Sequence, residues 1–146
     1  MSMSYVSEIL KNKGNRVLTV KPQDKVLDAL KLMAQENVGA VLVLEGSKIA
    51  GIFSERDYAR HSIKHNLHPE NILVKDMMTS HVYFVTPSQS TDECLSVMTS
   101  KHIRHLPVLE DHQLIGIISI GDVVKKIIED HKFSISQLER YVTGEV

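Results

Sequence analysis

The chain has 146 residues, 42% of them hydrophobic, with 17 basic and 18 acidic side chains and a formal charge of −1. That is enough apolar material for one compact domain or two small intertwined halves, and the near-neutral, scattered charge gives no footprint for nucleic acid or an anionic membrane. No stretch approaches the roughly 18 apolar residues of a membrane span, the opening MSMSYVSEILKNKG is polar and mixed rather than a leader, and the single Cys94 excludes an internal disulfide, so a reducing, cytoplasmic setting is expected.

In chain order, VSEIL from Val6 predicts a short helical turn. Residues 17–20 read as a β segment running into Pro22, after which Val26, Leu30 and Met33 fall at helical spacing. AVLVL from Ala40, the turn EGS and a second apolar strand, IAGIF, follow. A helix is predicted from residue 55 to about 64. The order then recurs. VKDMM from Val74 echoes VSEIL, residues 83–85 form a β segment before Pro87, and Leu95 and Met98 mark a helix opened by a capping box of Ser90 and Glu93. The strands LPVL and LIGII flank the turn EDH, and a helix runs from residue 121 to about 131. None of the four hairpin strands alternates in hydrophobicity, which predicts that both faces are covered. A last helix is expected over 134–142, with Ile135, Leu138 and Val142 along one face.

The recurrence is gapless. Val17/Val82, Pro22/Pro87, Leu30/Leu95, Met33/Met98, Val43/Val108, Gly51/Gly116, Ser54/Ser119 and Asp57/Asp122 are all 65 residues apart. Two copies are too few for a solenoid. They must bury their faces against each other, which gives an α+β architecture of two β-α-β-β-α units.

The arrangement resembles the cystathionine-beta-synthase (CBS) domain pair. The likeness rests on TVKP and FVTP before the first helix of each copy, RHLPV on the middle strand, and above all GIFSERD and GIISIGD, a Gly-hydrophobic-hydrophobic-Ser-x-x-Asp element present twice. It implies a first CBS domain over residues 6–65, a second over 74–131 and a C-terminal helix or tail over 132–146. It also implies packing of the two units through their sheets about a pseudo-twofold axis, with clefts that take adenosine-containing ligands. No cofactor is required on this reading; AMP, ADP, ATP or NAD would act as a regulatory ligand, the module would pair into a homodimer through its helices, and an effector protein would read its state.

The Ser-x-x-Asp chemistry follows from the residues. Ser54 and Ser119 end a strand and are expected at or beside the N-cap of a helix, where free backbone N–H groups favour an anion. Asp57 and Asp122, three residues on, offer two acceptor oxygens each, enough for both hydroxyls of a ribose. The plainer reading of either element alone is a helix cap with an acidic residue in the first turn.

By the same resemblance the base packs between the segment before the proline and the middle strand. That assigns Thr19 and Lys21 with Ala40 and Val41 in one copy, and Phe84 and Thr86 with His105, Leu106 and Pro107 in the other. Arg56 and Arg104 are the candidates for phosphate oxygens, because a guanidinium offers a planar fork of donors; a solvated surface arginine is the alternative for each. Ile120 and Gly121 stand where the first copy has Glu55 and Arg56, so the two sites are not expected to be equivalent.

Catalytic patterns are thin. His61 and His65 lie four apart but without further ligands at zinc spacing, and read as surface histidines. Neither GIFSE nor GIISI has the glycine that a nucleophile elbow needs two positions after the serine. A regulatory module that is no enzyme is the expected function. The rivals are a scaffold with vestigial clefts or with S-adenosylmethionine in them, and a small nucleotide-processing enzyme.

Overall fold

The computed structural model describes residues 4–66, 68–131 and 139–140. It is α+β, and its elements are α1 (Val6–Lys13), β1 (Thr19–Val20), α2 (Val26–Glu36), β2 (Ala40–Glu45), β3 (Lys48–Ser54), α3 (Glu55–His65), a 3-10 turn (Pro69–Asn71), α4 (Val74–Met77), α5 (Thr91–Lys101), β4 (His105–Glu110), β5 (Gln113–Ser119) and α6 (Ile120–Asp130). Of the helix expected over 134–142, only Glu139 and Arg140 are described, and both are helical; the rest lies outside the described residues.

The chain divides into two compact units, Val17–Tyr83 and the remainder, in which the segment up to Arg16 joins the chain from Phe84 onward. The packing units therefore exchange their leading helices relative to the repeat. Helix α4 packs with α2, α3 and β3 of the first copy, and α1 packs with β5 and α6 of the second.

In the unit Val17–Tyr83, β2 is central, parallel to β1 (Thr19 beside Leu42, Val20 beside Val43) and antiparallel to β3 (Ala40 beside Ser54). Its core joins Val26, Ala29 and Met33 of α2 to Val41, Val43 and Phe53 of the sheet and to Val74 and Met77 of α4. The strand β2 is buried on both faces at Ala40 to Val43, as its unbroken apolar run predicts. The β3 expectation needs correction, because only Gly51 and Phe53 are fully buried and their neighbours are half-covered. Gly51 has a steric reason to be glycine: a Cβ there would lie 2.6 Å from Met78 Sδ and 2.8 Å from the Thr79 carbonyl oxygen. The segment after α4 runs against β3 as an extra bridge, with Ile52 N donating to Thr79 O at 2.9 Å and Thr79 N to Ile52 O at 2.8 Å.

In the second unit β4 and β5 repeat that hairpin (His105 beside Ser119), and the segment before the proline is reduced to one bridge, Val85 to Val108. Again the outer strand β5 buries only Gly116 and Ile118. Leu10 of α1 closes on Gly116, its Cδ2 2.7 Å from where a Cβ would stand. The hairpin turn bends through two left-handed residues, Asp111 (φ 52°) and His112 (φ 63°), where the first copy uses Gly46 (φ 66°). Ser90 and Glu93 form the predicted capping box at α5. The Ser90 N–H, with the Gln89 and Ser90 side chains, holds the Glu93 carboxyl below the usual range. Polar pairs fasten the N-terminal segment along α6: Ser4 Oγ donates to Asp130 Oδ2 at 2.5 Å, Lys126 Nζ lies 3.8 Å from Glu8 Oε2, and Lys13 Nζ lies 2.6 Å from Asp122 Oδ2. Residues 122, 126 and 130 are four apart and share one face of the helix.

Candidate functional site

Each Ser-x-x-Asp element sits where a strand turns into a helix. Ser54 is the extended N-cap of α3 (φ −126°, ψ 160°), its Oγ accepting from Asp57 N at 3.1 Å while Ser54 N donates to Asp57 Oδ2 at 3.1 Å. Ser119 does the same for α6: Asp122 N donates to Ser119 Oγ at 3.1 Å and Ser119 N to Asp122 Oδ2 at 2.8 Å. Both are complete capping boxes, so the plain cap reading describes real bonds. Those bonds occupy only Oδ2 of each carboxylate, and an ionised carboxylate has about four lone-pair positions over two oxygens.

The open N–H groups of the first turn are fewer than the sequence reading expects. The N–H of Glu55 donates to the Gly39 carbonyl at 3.1 Å, and that of Ile120 to the Arg104 carbonyl at 2.8 Å. With the third N–H taken by the serine, the described residues supply a partner to neither Arg56 N nor Gly121 N, which leaves one donor per element for a phosphate oxygen.

The sheet register sorts the remaining candidates. Ala40 and Val41 are buried beside Ser54 and Phe53, and His105, Leu106 and Pro107 lie beside Ser119, Ile118 and Ile117. In a parallel ladder alternate residues bond to the neighbour. Leu18 O accepts from Leu42 N, so Thr19 turns its backbone groups away from β2, toward the open edge. Val85 bonds to Pro107 O and Leu109 N, which leaves Phe84, 54% exposed, in the same edge position. Lys21 and Thr86 differ, because their N–H groups are bound to Asp24 and Gln89 side chains and their carbonyls to the backbone N–H of the same residues. Their backbones are spent in the turn before the helix.

Arg56 is exposed on the first turn of α3. Arg104 stands at the head of β4 with its carbonyl on the first turn of α6, so it is placed beside the element that lacks an arginine of its own. Gly121 has ample room, since a Cβ there would meet only Ser119 Oγ at 3.6 Å. Cys94 is fully buried, and burial, with the nearby Glu93 charge, pushes its thiol up to about 11, away from nucleophile chemistry. Among the described residues no three His, Cys, Asp or Glu side chains are placed to hold a metal ion, and no helix is long and apolar enough to cross a membrane.

One participant is absent from the sequence reading. Lys13, the last residue of α1, donates to Asp122 Oδ2 at 2.6 Å and to the Ile117 carbonyl at 2.9 Å. Burial pushes the Asp122 carboxyl upward, but the Lys13 hydrogen bond and charge, with the Ser119 backbone and side chain, outweigh it and hold the group below its ordinary value. A separation of 109 residues hides such a pair from any sequence pattern.

Known proteins share this fold. A mitochondrial CBS domain-containing protein of Arabidopsis thaliana, CBSX3, is 36% identical over 95% of this chain and 72% of its own length. A solved protein with CBS domains from Burkholderia ambifaria is 48% identical, with a TM-score of 0.84 over 87% of this chain and 96% of that one. The CBS domain pair of protein MJ0100, solved with 5′-methylthioadenosine and S-adenosyl-L-methionine, shares the fold at 19% identity and a TM-score of 0.77, covering 88% of this chain and 99% of that one. The family model for the CBS domain matches residues 6–64 and again 74–129, and the chain belongs to that family as a pair of CBS domains.

Proposed function

We propose that the chain is a regulatory module that senses adenine nucleotides, with AMP, ADP, ATP or NAD as ligand. The observation that carries this reading is the duplicated Ser-x-x-Asp geometry, in which each carboxylate keeps an oxygen beyond its capping bonds next to one open first-turn N–H. The aspartate accepts from the ribose hydroxyls. The N–H of Arg56 or Gly121, with the guanidinium of Arg56 or Arg104, meets phosphate. The base reads the outward backbone of Thr19 against Ala40 and Val41, or that of Phe84 against His105, Leu106 and Pro107. Lys21 and Thr86 act through their side chains. The adenosyl ligands of MJ0100 support the class of compound. They also make S-adenosylmethionine, on a scaffold reading, the occupant to set against a nucleotide.

Ligand that binds one conformational state more tightly shifts the module toward it, and an effector protein reads the shift. Regulation without catalysis, a cytoplasmic setting and a homodimer belong to the same proposal. The inert Cys94 supports the first two. Ile63 on α3, 83% exposed, and Val124 and Ile128 on α6, each 39% exposed, support the third. Light scattering at tens of micromolar is expected to give about twice the 16.5 kDa chain mass.

Thermal melting with millimolar nucleotides tests the ligand class. Ligand that binds the folded state alone stabilises it with the logarithm of its concentration over Kd. Adenine nucleotides are expected to raise Tm more than guanosine or pyrimidine nucleotides and more than S-adenosylmethionine. Flat curves with every adenosyl compound reject the reading, and nucleotide turnover over hours favours an enzyme instead.

A further inference from the structure

We infer that Lys13 ranks the two sites: it adds a second donor to Oδ2 of the aspartate in the second Ser-x-x-Asp element, so a ribose engages both oxygens of Asp122 only by displacing the lysine, whereas Asp57 Oδ2 carries its capping bond alone. The inference rests on the ribose-to-aspartate reading above. A cis-diol held by a carboxylate places one hydroxyl on each oxygen. In the second unit Asp122 Oδ2 already takes two donors, Ser119 N at 2.8 Å and Lys13 Nζ at 2.6 Å, both shorter than the single 3.1 Å bond from Ser54 N to Asp57 Oδ2. The lysine is not a loose surface charge that happens to swing near. Its second bond, to Ile117 O at 2.9 Å, fixes the ammonium against β5, and its helix is tied along α6 by the pairs from Ser4 to Asp130 and from Glu8 to Lys126. Lys13 and Asp122 side chains are 35% and 25% exposed, so the pair is partly shielded from solvent.

The described residues of the first unit carry no such device. In the place that α1 takes in the second unit it carries α4, which is four residues long and ends at Met77. The chain then leaves the helix, and Thr79 pairs with Ile52. The eight-residue length of α1 is what brings a lysine to the end of the helix and onto the aspartate. A ligand whose competent state is only fractionally populated binds more weakly by that fraction. The second site is therefore the weaker one in the intact chain, and its filling frees the end of α1.

Calorimetric titration of AMP and of uncharged adenosine decides this, with Asp57→Ala used to silence the first site and Asp57→Asn used if the alanine variant does not fold. In that background Lys13→Met is expected to tighten binding at the second site roughly tenfold for both ligands, because the lysine competes for the ribose carboxylate and not for phosphate. Unchanged affinity overturns the inference. So does a loss of AMP affinity with adenosine unaffected, which makes Lys13 a phosphate ligand. Absence of binding by either ligand to the wild-type chain and to Lys13→Met alike rejects the underlying nucleotide reading. Binding to the wild-type chain that ignores Lys13 rejects this inference alone.

Discussion

The two Ser-x-x-Asp elements are the same to within a few tenths of an ångström in their capping bonds, yet they stand in different electrostatic surroundings. Asp57 is flanked by Arg56 on its own helix; Asp122 has Gly121 beside it and the ammonium of Lys13 on its oxygen. The repeat keeps what folds the turn, and the positive charge near each carboxylate enters from elsewhere: from the preceding residue in one copy, from a helix 109 residues away in the other. Repetition of a cap does not repeat the surroundings of its carboxylate.

The sharpest way to break the comparison is to remove each aspartate in turn. Asp57→Ala is expected to weaken its site by roughly ten- to a hundredfold, the value of hydrogen bonds to a charged group. Asp122→Ala is expected to leave the tighter binding step unchanged, because that step belongs to the first site. Stability falls by about 1 kcal/mol in Asp57→Ala for the lost half of a capping box, and by about 0.5–1 kcal/mol more in Asp122→Ala, which also loses the Lys13 pair, read by urea unfolding. Two aspartate variants that both bind as wild type reduce the elements to caps.

The second contrast concerns packing. Gly51→Ala pushes a methyl against a backbone carbonyl and the Met78 sulfur, and Gly116→Ala pushes one against the flexible end of Leu10. Overpacking costs about 1–3 kcal/mol. The Gly51 variant should sit at the upper end and the Gly116 variant at the lower, and equal losses in a denaturant titration contradict this account of the two glycines.

A third variant sharpens the comparison by making the copies alike. Gly121→Arg puts an arginine at the position equivalent to Arg56, in open space and without a left-handed backbone to strain. It is expected to raise AMP affinity at the second site by about three- to tenfold and leave adenosine unchanged, with Arg56→Ala producing the reverse at the first. Titrations in the Asp57→Ala and Asp122→Ala backgrounds separate the two.

Much of this frame is legible in the chain itself. A 65-residue offset exposes the repeat, and Ser54, Ser90 and Ser119 mark helix starts to within a residue, because a serine three positions before an acidic side chain satisfies orphan N–H groups locally; the helix expected from 121 begins at Ile120. What depends on partners distant in sequence is not legible. The half-covered faces of β3 and β5 follow from their edge position, which an apolar run does not reveal. The exchange of α1 and α4 between units follows from tertiary packing. Lys21 and Thr86 share the motif of Thr19 and Phe84, but their backbone groups are consumed by the side chains and backbone N–H groups of Asp24 and Gln89, a turn that only the three-dimensional register makes plain.

The smallest effect tests the Lys13–Asp122 pair through pH. The folded chain holds the Asp122 carboxyl below its ordinary value near 3.8, so the unfolded chain binds the proton more readily. A group depressed in this way adds stability that is complete above the unfolded value and disappears as pH falls through the lower folded one. Lys13→Met removes the hydrogen bond and charge that oppose burial. At neutral pH it should cost about 0.5–1 kcal/mol, the range for a partly exposed ion pair. Once pH falls below the depressed folded value, where the carboxyl is protonated in both states, wild type and variant should converge, leaving the variant with the shallower acid limb. Added salt should narrow the neutral-pH gap in the same direction. A gap that persists undiminished in acid would mean that Lys13 stabilises through its hydrocarbon stem or its bond to Ile117, and that Asp122 takes no part of the lysine's charge.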